Sequence, residues 1–367
     1  MKHYIFIHLY NDYSGSPRVL KELVSTLQEE SKNSNFHLIT SNSNGILNKI
    51  NWSSECRFKY KPKANKALKL FDYLVSQIKI FSYTFLLITK LRKRNDGDIT
   101  VIINTMLPFG ASIAVYILKH KKVFHYIHET YIKPNILKLF LKKIISLTSG
   151  EIIFVSKYLM FESEFKNKKQ HVVYNPISPE LVSIDIANKS KNSIIMLSSL
   201  VDYKRIDRFI MLAKYFNENN YSFYFTLVLN SNENDYKKFI EMKKISLPDN
   251  INTFFKPDNI IKLYQNSGFV INLTDHKKCI ETFGLTLVEG MANGCIPIAP
   301  NYGGPKEIIS HDFGYLFNEF SCEDIFKFIK NIFDNDKFSF YSKQASLQSK
   351  KFSLDIYRKE ILKSLNP

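Results

Sequence analysis

Residues 281–307, ETFGLTLVEGMANGCIPIAPNYGGPKE, carry the strongest indication of the fold. A glycine turn at Phe283-Gly284 precedes a predicted helix, and the apolar run 296–299 predicts a strand after it. A helix N-terminus offers unpaired N–H groups and a favourable dipole, so a helix that begins at a glycine turn can hold a phosphate. Glu289 falls about two turns into this helix, where its carboxylate can accept hydrogen bonds from a ribose diol. Gly303-Gly304 lets the backbone approach a ligand closely.

The rest of the chain alternates short apolar runs with helical patterns. Strands are predicted at residues 3–9, 36–40, 99–103, 123–127, 152–155, 193–197, 223–229, 269–273 and 296–299, and helices at residues 19–27 and 205–217. This alternation indicates parallel sheets covered by helices on both faces. The pattern restarts after residue 190, and the aperiodic segment Asn175–Asn192 is typical of a domain boundary. The sequence therefore predicts an α/β protein of two doubly wound domains, which bind ligands outside the carboxyl ends of their strands.

Composition and charge fit this prediction and narrow the choice of partner. A length of 367 residues suggests two domains, and 45% hydrophobic residues suffice for a core. The net charge of +17 is uneven, since residues 1–180 hold 27 Lys and Arg against 13 Asp and Glu, and the remainder holds 24 against 21. A basic N-terminal half indicates an anionic partner, for which nucleic acid, an acidic membrane surface and a phosphorylated substrate all qualify.

Cysteine usage and hydropathy bear on the compartment. Cys56, Cys279, Cys295 and Cys322 form no C-x-x-C pair, and the N-terminal stretch is too short and too polar for a secretory signal. These features predict a reducing, cytoplasmic environment. No segment is predicted to span a bilayer, because the longest uncharged run, Ile80–Thr89, has ten residues where about 20 are needed.

The segment 281–307 closely resembles the signature of the retaining, metal-independent glycosyltransferases of family four, in which two glutamates flank seven residues and Phe-Gly follows the first. The resemblance implies the GT-B architecture, with two facing Rossmann-like domains and the active site in the cleft between them. It implies an acceptor-binding domain at 1–180, a donor-binding domain at 190–350, and a C-terminal helix at 351–367 that packs back on the first domain.

The resemblance also implies roles for individual residues. Glu281 would lie beside the transferred sugar, Glu289 would bind the ribose, and the backbone of Phe283, Gly284 and Leu285 would donate hydrogen bonds to the sugar. Two glutamates at this spacing without the surrounding motif more often form a solvated helix face. The other residues of the motif favour the functional interpretation.

A second match is Ser198–Asp207, SSLVDYKRID, which follows a predicted strand. Family members place an Arg five residues before a Lys here, and both bind the donor diphosphate. Lys204 fits the Lys, but Ser199 occupies the Arg position. Either Arg205 or Arg208 compensates, or the site uses one cation fewer.

Two further matches lie in the N-terminal half. In HYIHET, His128 resembles the family histidine that contacts the sugar near the reaction centre, with His125 as a weaker candidate and a core histidine as the alternative. The loop 11–16, with Gly15, resembles the loop that approaches the diphosphate. Asp96-Gly97-Asp98 is interpreted as a turn and not as a metal-binding motif, and no cluster with metal-ligand spacing is found.

These matches predict a metal-independent transferase that moves a sugar from a nucleotide diphosphate sugar to a glycan or polyprenyl-linked acceptor, in surface-polysaccharide synthesis such as that of O-antigen or capsule. His128, Glu281 and Lys204 are the predicted catalytic residues. The basic, aromatic stretch 59–94 predicts docking to an anionic membrane, on the inner face of the plasma membrane; a buried helix with snorkelling lysines is the alternative. A nucleotide-sugar epimerase of the same fold and a nucleic-acid-binding protein are the competing functions, although nucleic-acid-binding motifs are absent.

Overall fold

The computed structural model describes residues 1–63, 65–148, 150–182 and 189–365. The chain divides into two compact units, one formed by residues 1–176 with 357–367 and the other by residues 177–356. The division after Pro176 falls within the segment that the sequence suggests as a boundary, and residues 183–188 of that segment lie outside the described part.

The N-terminal unit is built on a parallel sheet with the order β3-β2-β1-β4-β5-β6-β7 among the described residues. Its strands are β1 (Lys2–Ile7), β2 (Ser34–Ser41), β3 (Ser54–Phe58), β4 (Asp98–Asn104), β5 (Val123–Ile127), β6 (Glu151–Phe154) and β7 (Lys169–Val172). Its helices are α1 (Gly15–Glu30), α2 (Lys66–Lys93), α3 (Phe109–Ile117), α4 (Asn135–Thr148) and α5 (Lys157–Ser163), with a 3₁₀ turn at Ile46–Lys49. From Tyr357 onward the C-terminal helix, Leu354–Leu365, belongs to this unit.

The C-terminal unit repeats the design, with the strand order β10-β9-β8-β11-β12-β13 over the residues described. Its strands are β8 (Ser193–Ser198), β9 (Tyr224–Leu229), β10 (Ile251–Phe255), β11 (Phe269–Ile271), β12 (Ile296–Pro300) and β13 (Tyr315–Phe317). Its helices are α6 (Ile206–Glu218), α7 (Glu233–Lys243), α8 (Ile260–Gln265), α9 (Leu285–Ala292), α10 (Pro305–Ile308), α11 (Cys322–Asp334) and α12 (Phe338–Ser349). Short 3₁₀ helices lie at Pro179–Leu181, Asp202–Lys204 and Lys350–Phe352.

Both sheets have the same kind of strand order. The second and third strands add to one side of the first strand, and the later strands add to its other side. The reversal falls between β1 and β4 in one unit and between β8 and β11 in the other. In doubly wound sheets, ligands bind outside the carboxyl ends of the strands at this point. The predicted α/β class, with two Rossmann-like domains, is confirmed.

Each of the nine predicted strands is present, with bounds that differ from the prediction by a few residues at most. The central strands are buried on both faces, and all residues of β5 and β12 are buried. Such strands read as continuous apolar runs, which explains why the sequence shows them. Four more strands, β3, β7, β10 and β13, are present although the sequence analysis does not predict them.

Helix α2 corrects the expectation that no segment is long enough to span a bilayer. The run Ile80–Thr89 is part of a longer apolar helical segment, Ala67–Lys93, whose best window has a mean hydropathy of 1.3. By length and composition alone this segment could cross a membrane, but a core helix passes the same test. One third of that window is buried, and Ile80 and Ile88 pack in the core beneath the sheet.

Candidate active site

In the C-terminal unit, the predicted site residues collect at the carboxyl ends of the strands. Ser199 directly follows β8, and the 3₁₀ turn with Lys204 leads from there into α6. Glu281 lies in the loop that leads from β11 to α9. The loops after β8 and β11 flank the point where the strand order reverses, so the fold itself brings them together.

Lys204 and Glu281 form an ion pair. The Lys204 ammonium lies 2.5 Å from Oε2 of Glu281. The same oxygen accepts hydrogen bonds from Asn272 Nδ2 at 3.2 Å and from Thr274 Oγ1 at 3.5 Å. The two charged side chains are only 23% and 21% exposed. Within the described residues, Oε1 of Glu281 takes part in none of these bonds, which leaves it as an acceptor for a ligand hydroxyl.

The pair sustains both charges. Burial alone would raise the pKa of Glu281, but the Lys204 ammonium and the hydrogen bonds to Oε2 hold that pKa below its ordinary value. Burial likewise opposes the charge on Lys204, and Glu281 raises the Lys204 pKa above its ordinary value. The site therefore presents a fixed anion and a fixed cation side by side at neutral pH.

Helix α9 begins at the predicted glycine turn. Gly284 precedes it with φ of 106°, a conformation that side chains with a Cβ rarely adopt. Gly303 and Gly304 pack against the chain itself. A Cβ on Gly303 would lie 2.3 Å from the Glu281 carbonyl, and one on Gly304 would lie 2.3 Å from Phe283 Cα. The glycines thus set the position of the loop that carries Glu281.

Glu289 lies in the second turn of α9 and is 2% exposed. Its Oε2 accepts a hydrogen bond from the Tyr264 hydroxyl at 3.0 Å. The same hydroxyl lies 3.2 Å from the Thr286 carbonyl. Glu289 is therefore held in one position by α8, which is the behaviour expected of a preorganised carboxylate.

The two arginines that could replace the missing family arginine differ in availability. Arg205, at φ of 55°, forms ion pairs with Asp207 at 2.7 Å and Asp275 at 3.3 Å. Its charge is already matched by these carboxylates. Arg208 lies over the Phe320 ring, with its guanidinium 5.1 Å from the ring centre. Burial lowers the pKa of Arg208, and the neighbouring Arg205 adds to this.

In the N-terminal unit, the predicted histidine is half-buried and contacts a buried polar cluster. His128 directly follows β5, and its Nε2 lies 2.8 Å from Oδ1 of Asn104, at the end of β4. Nδ2 of Asn104 lies 3.1 Å from Nδ1 of His8, which directly follows β1. Because β1, β4 and β5 are neighbours, the three polar groups meet at one carboxyl edge. Burial lowers the pKa of His128 to about 3 and that of His8 to about 4.

The neighbouring Glu129 is a half-buried residue whose carboxyl group is hydrogen-bonded to the backbone. It accepts hydrogen bonds from the Met106 N–H at 2.8 Å and the His128 N–H at 3.2 Å. Burial raises the pKa of Glu129 to about 7. It supports the turn after β4, where Thr105 adopts φ of 75°, a strained conformation for a β-branched residue.

The remaining candidates in this unit have the following places. His125 is fully buried, with Ser112 Oγ at 2.9 Å from its Nε2, as expected for the core-histidine alternative. Gly15 is the first residue of α1, and a Cβ there would meet open space. Gly97 has φ of 104° in the turn before β4. No group of three His, Cys, Asp or Glu in the described part of the chain could hold a metal ion.

Several polar residues at these edges are absent from the sequence predictions. Asn104, Glu129, Asn272 and Thr274 each make a hydrogen bond that orients a predicted site residue. Their signal in the sequence is position, because each follows or ends an apolar strand. That signal becomes specific only once the strand order is known.

Comparison with known proteins agrees with this geometry. Residues 178–348 match the profile of the family described as "Glycosyl transferases group 1". The matched residues fall within the C-terminal unit, which is therefore similar to the domain of this family. The matched region includes Ser199, Lys204, Glu281 and Glu289, and so contains every predicted site residue of this unit. No curated protein sequence matches the chain.

Solved glycosyltransferase structures share the fold of the complete chain. HepE from Anabaena, in complex with UDP-glucose, has a TM-score of 0.75 at 16% identity, with 99% of each chain covered. A glycosyltransferase from Rickettsia africae has a TM-score of 0.73 at 18% identity, covering 99% of this chain and 97% of its own. Sucrose-phosphate synthase from Thermosynechococcus elongatus has a TM-score of 0.75 at 14% identity, with 100% and 98% covered. The two Rossmann-like units thus match GT-B glycosyltransferase structures.

Proposed function

We propose that this protein transfers a sugar from a nucleotide diphosphate sugar to a glycan or lipid-linked acceptor, with retention of the anomeric configuration. The observation that carries the proposal is the Lys204–Glu281 pair next to the Gly284 start of α9, inside the region that matches the glycosyltransferase family. A cation and a helix N-terminus suit a diphosphate, and an ionised carboxylate suits sugar hydroxyls.

Each group has a proposed task. The Lys204 ammonium and the amide groups at the start of α9 stabilise the negative charge that develops on the leaving diphosphate. Glu281 is anchored through Oε2 and accepts from the sugar through Oε1. Glu289 binds the ribose. The sugar passes through an oxocarbenium-like state, as in other glycosyl transfers, and the leaving phosphate helps to deprotonate the acceptor.

We propose that the reaction needs no divalent metal, since Lys204 and the helix dipole supply positive charge at the leaving group. Sustained transfer in the presence of EDTA would support this. Loss of transfer with EDTA that added Mg²⁺ or Mn²⁺ restores would refute it.

The proposed setting is surface-polysaccharide assembly at the inner face of the plasma membrane. One structural relative is a lipopolysaccharide outer core galactosyltransferase, WaaB, with a TM-score of 0.65 at 14% identity. Another is TarM, with a TM-score of 0.71 at 13% identity. Both support the fold, and the acceptor class is our proposal.

Two helices of the N-terminal unit support membrane docking. Helix α4 exposes Ile136 (74%) and Leu139 (65%), and α2 exposes Phe71 (64%). The apolar side chains of α4 alternate with lysines, and the N-terminal half of the chain is strongly basic. Apolar groups among cations suit an anionic bilayer interface. We name Phe71, Ile136 and Leu139 the docking residues.

Both helices start at the same edge of the sheet. Each follows the carboxyl end of its preceding strand, the edge at which His128 lies. Ring contacts connect the helices, since Phe140 packs on Phe109 at 5.2 Å and Phe109 packs on Tyr73 at 5.8 Å between centroids. An exposed apolar surface at this edge would hold the polar cluster close to lipid-linked acceptors.

Vesicle flotation tests the docking. The protein should float with anionic phosphatidylglycerol vesicles at low salt, and less at high salt. Full burial of a large apolar side chain stabilises by about 1.5–3 kcal/mol, so the double variant F71S/L139S should bind at least about tenfold more weakly. The control is Met242→Ser, an equally exposed apolar position (72%) in the C-terminal unit. Absence of binding, or an equal effect of both variants, would contradict docking.

A transfer assay tests the activity itself. UDP, GDP and ADP sugars are first screened by thermal shift, and the donor that stabilises the protein is incubated with lipid-linked and free glycan acceptors. We expect release of the nucleoside diphosphate together with a product of unchanged anomeric configuration by NMR. Formation of an epimerised nucleotide sugar would support the epimerase alternative. A gel shift without donor binding would support the nucleic-acid alternative.

A further inference from the structure

The carboxyl edge of the N-terminal sheet contains a side chain with no role in the predicted site. Asn104 is fully buried at the end of β4, between His8 on one side and His128 on the other. Each of these rings can exist in two tautomers. The amide between them determines which tautomer each ring adopts, because one end of the amide donates hydrogen bonds and the other end accepts them.

The orientation of this amide follows from a third contact. Nδ2 of Asn104 lies 3.3 Å from the backbone carbonyl of Ser16, in the first turn of α1. A carbonyl oxygen can only accept, so the amide must present its NH₂ group to Ser16 and to His8. Its carbonyl oxygen, Oδ1, therefore faces His128.

The orientation of the amide determines where the protons of the two rings lie. Since Oδ1 can only accept, Nε2 of His128 must carry a proton and donate it across the 2.8 Å contact. Since Nδ2 donates to His8, Nδ1 of His8 carries the lone pair. In the neutral state both rings are thus Nε2–H tautomers, and the other tautomer of His128 would set a lone pair against Oδ1.

We propose that Asn104 is a positioning residue that holds His128 as a neutral Nε2–H imidazole for glycosyl transfer. This rests on the proposed function. The reacting sugar develops positive charge, and an imidazolium beside it would oppose that charge. An amide fixes the ring without favouring its protonation, whereas a carboxylate at the same position would stabilise the cation.

Several titratable groups of the described residues face this ring. Tyr126 packs on it with 4.4 Å between ring centroids, and His8 faces it through Asn104. Asp12 acts on His8 from the loop after β1, and Glu129 accepts the backbone N–H of His128. Burial keeps both rings neutral. Asn104 meets the ring directly at Nε2, and its acceptor oxygen requires the proton to be on that nitrogen.

Nitrogen-15 NMR of the histidine-labelled full chain tests the assignment without requiring activity. The His128 signal, identified by its loss in His128→Gln, should show a protonated Nε2 and an unprotonated Nδ1 between pH 6 and 8. A protonated Nδ1 in the wild-type protein would overturn the proposal. The measurement needs no variant at position 104, so it stands even if such variants do not fold.

The kinetic arm compares Asn104→Asp with Asn335→Asp, which adds the same charge at an exposed helix end of the C-terminal unit. In Asn104→Asp, the acid limb of the kcat profile should move to higher pH by about one to three units, and the protonation of His128 followed by NMR should move to higher pH with it. Asn335→Asp should keep the wild-type profile. Equal profiles for Asn104→Asp and the wild type would overturn the positioning role. If no variant and no wild-type protein transfers sugar, the proposed function fails, while the NMR result still decides the tautomer.

Discussion

The Lys204–Glu281 pair makes a prediction in which two substitutions have opposite effects on ligand binding. Lys204→Ala should weaken binding of the nucleoside diphosphate, because the diphosphate loses a charged donor. A hydrogen bond to a charged group contributes about 1.5–3 kcal/mol, or about 10- to 150-fold in Kd. In the free protein Lys204 is already bonded to Glu281, so the diphosphate must share it. The expected loss is therefore at the lower end, about tenfold.

Glu281→Gln should act in the other direction on the same measurement. A glutamine is uncharged and therefore competes less with the diphosphate for the Lys204 ammonium. The nucleoside diphosphate should bind to this variant at least as tightly as to the wild type. Transfer should nevertheless fall, because the ionised acceptor for the sugar hydroxyls is lost.

Isothermal titration calorimetry with the nucleoside diphosphate measures both effects. Lys214→Ala is the matched control, since Lys214 lies on α6 of the same unit and its ammonium bonds to Ser246 at 2.6 Å. Wild-type affinity in Lys204→Ala would refute the diphosphate role of Lys204. Weaker binding in Glu281→Gln than in the wild type would refute the division of roles between the two.

The stability of Lys204→Ala gives an independent check on the pair. Without Lys204, burial dominates and the pKa of Glu281 rises above that of the unfolded chain. Ionised Glu281 then costs about 3 kcal/mol at pH 8, and the cost disappears as protons bind at lower pH. The Tm deficit relative to the wild type should thus be larger at pH 8 than at pH 5. An equal deficit at both values would show that the two charges do not interact.

The remaining predictions use single substitutions. Glu289→Ala should raise the Kd of the donor about tenfold or more, measured by calorimetry, and a Kd within twofold of the wild-type value would refute the ribose role. Tyr264→Phe should lower the unfolding free energy by about 1 kcal/mol, since the hydrogen bond from the Tyr264 hydroxyl to Glu289 is lost, and unchanged unfolding would count against that contact. His128→Ala should lower kcat by about 100-fold or more, whereas His125→Ala should lower the Tm and leave kcat near the wild-type value; the reverse pattern would exchange their assignments.

The strands that the sequence predicts and those that it misses occupy different positions in the sheets. Every unpredicted strand, β3, β7, β10 and β13, lies at an edge of its sheet. Edge strands are covered less fully, and the alternating burial of β10 is an example. The sequences of β3, β7 and β10 therefore lack the continuous apolar run that a strand buried on both faces requires. Strand β13 is apolar throughout, but it has only three residues. Whether a strand lies at an edge depends on the order of the strands in the sheet, and no local sequence pattern contains that order.

The candidate site shows the same division between local and non-local information. The Phe283-Gly284 turn, the helix start and the position of Glu289 are properties of one continuous segment, and the sequence shows them. The anchoring of Glu281 depends on Asn272 and Thr274, whose side chains meet it only after β11 takes its place in the sheet. Spacing along the chain therefore locates the backbone part of the site and misses the side chains that hold it.

The sequence shows a clear motif in the C-terminal unit and none in the N-terminal unit, and this contrast has a physical cause. In the C-terminal unit, ligand groups are expected to meet backbone amides and one ion pair, so small residues and a few charges must stand at fixed spacing, which creates a readable motif. In the N-terminal unit, the ends of three strands contribute one polar residue each, His8, Asn104 and His128. Their separation along the chain carries no pattern, because the sheet and not the chain makes them neighbours. Here the neighbour that fixes the His128 ring without charging it, Asn104, ends a different strand, so the sequence around His128 gives no sign of it.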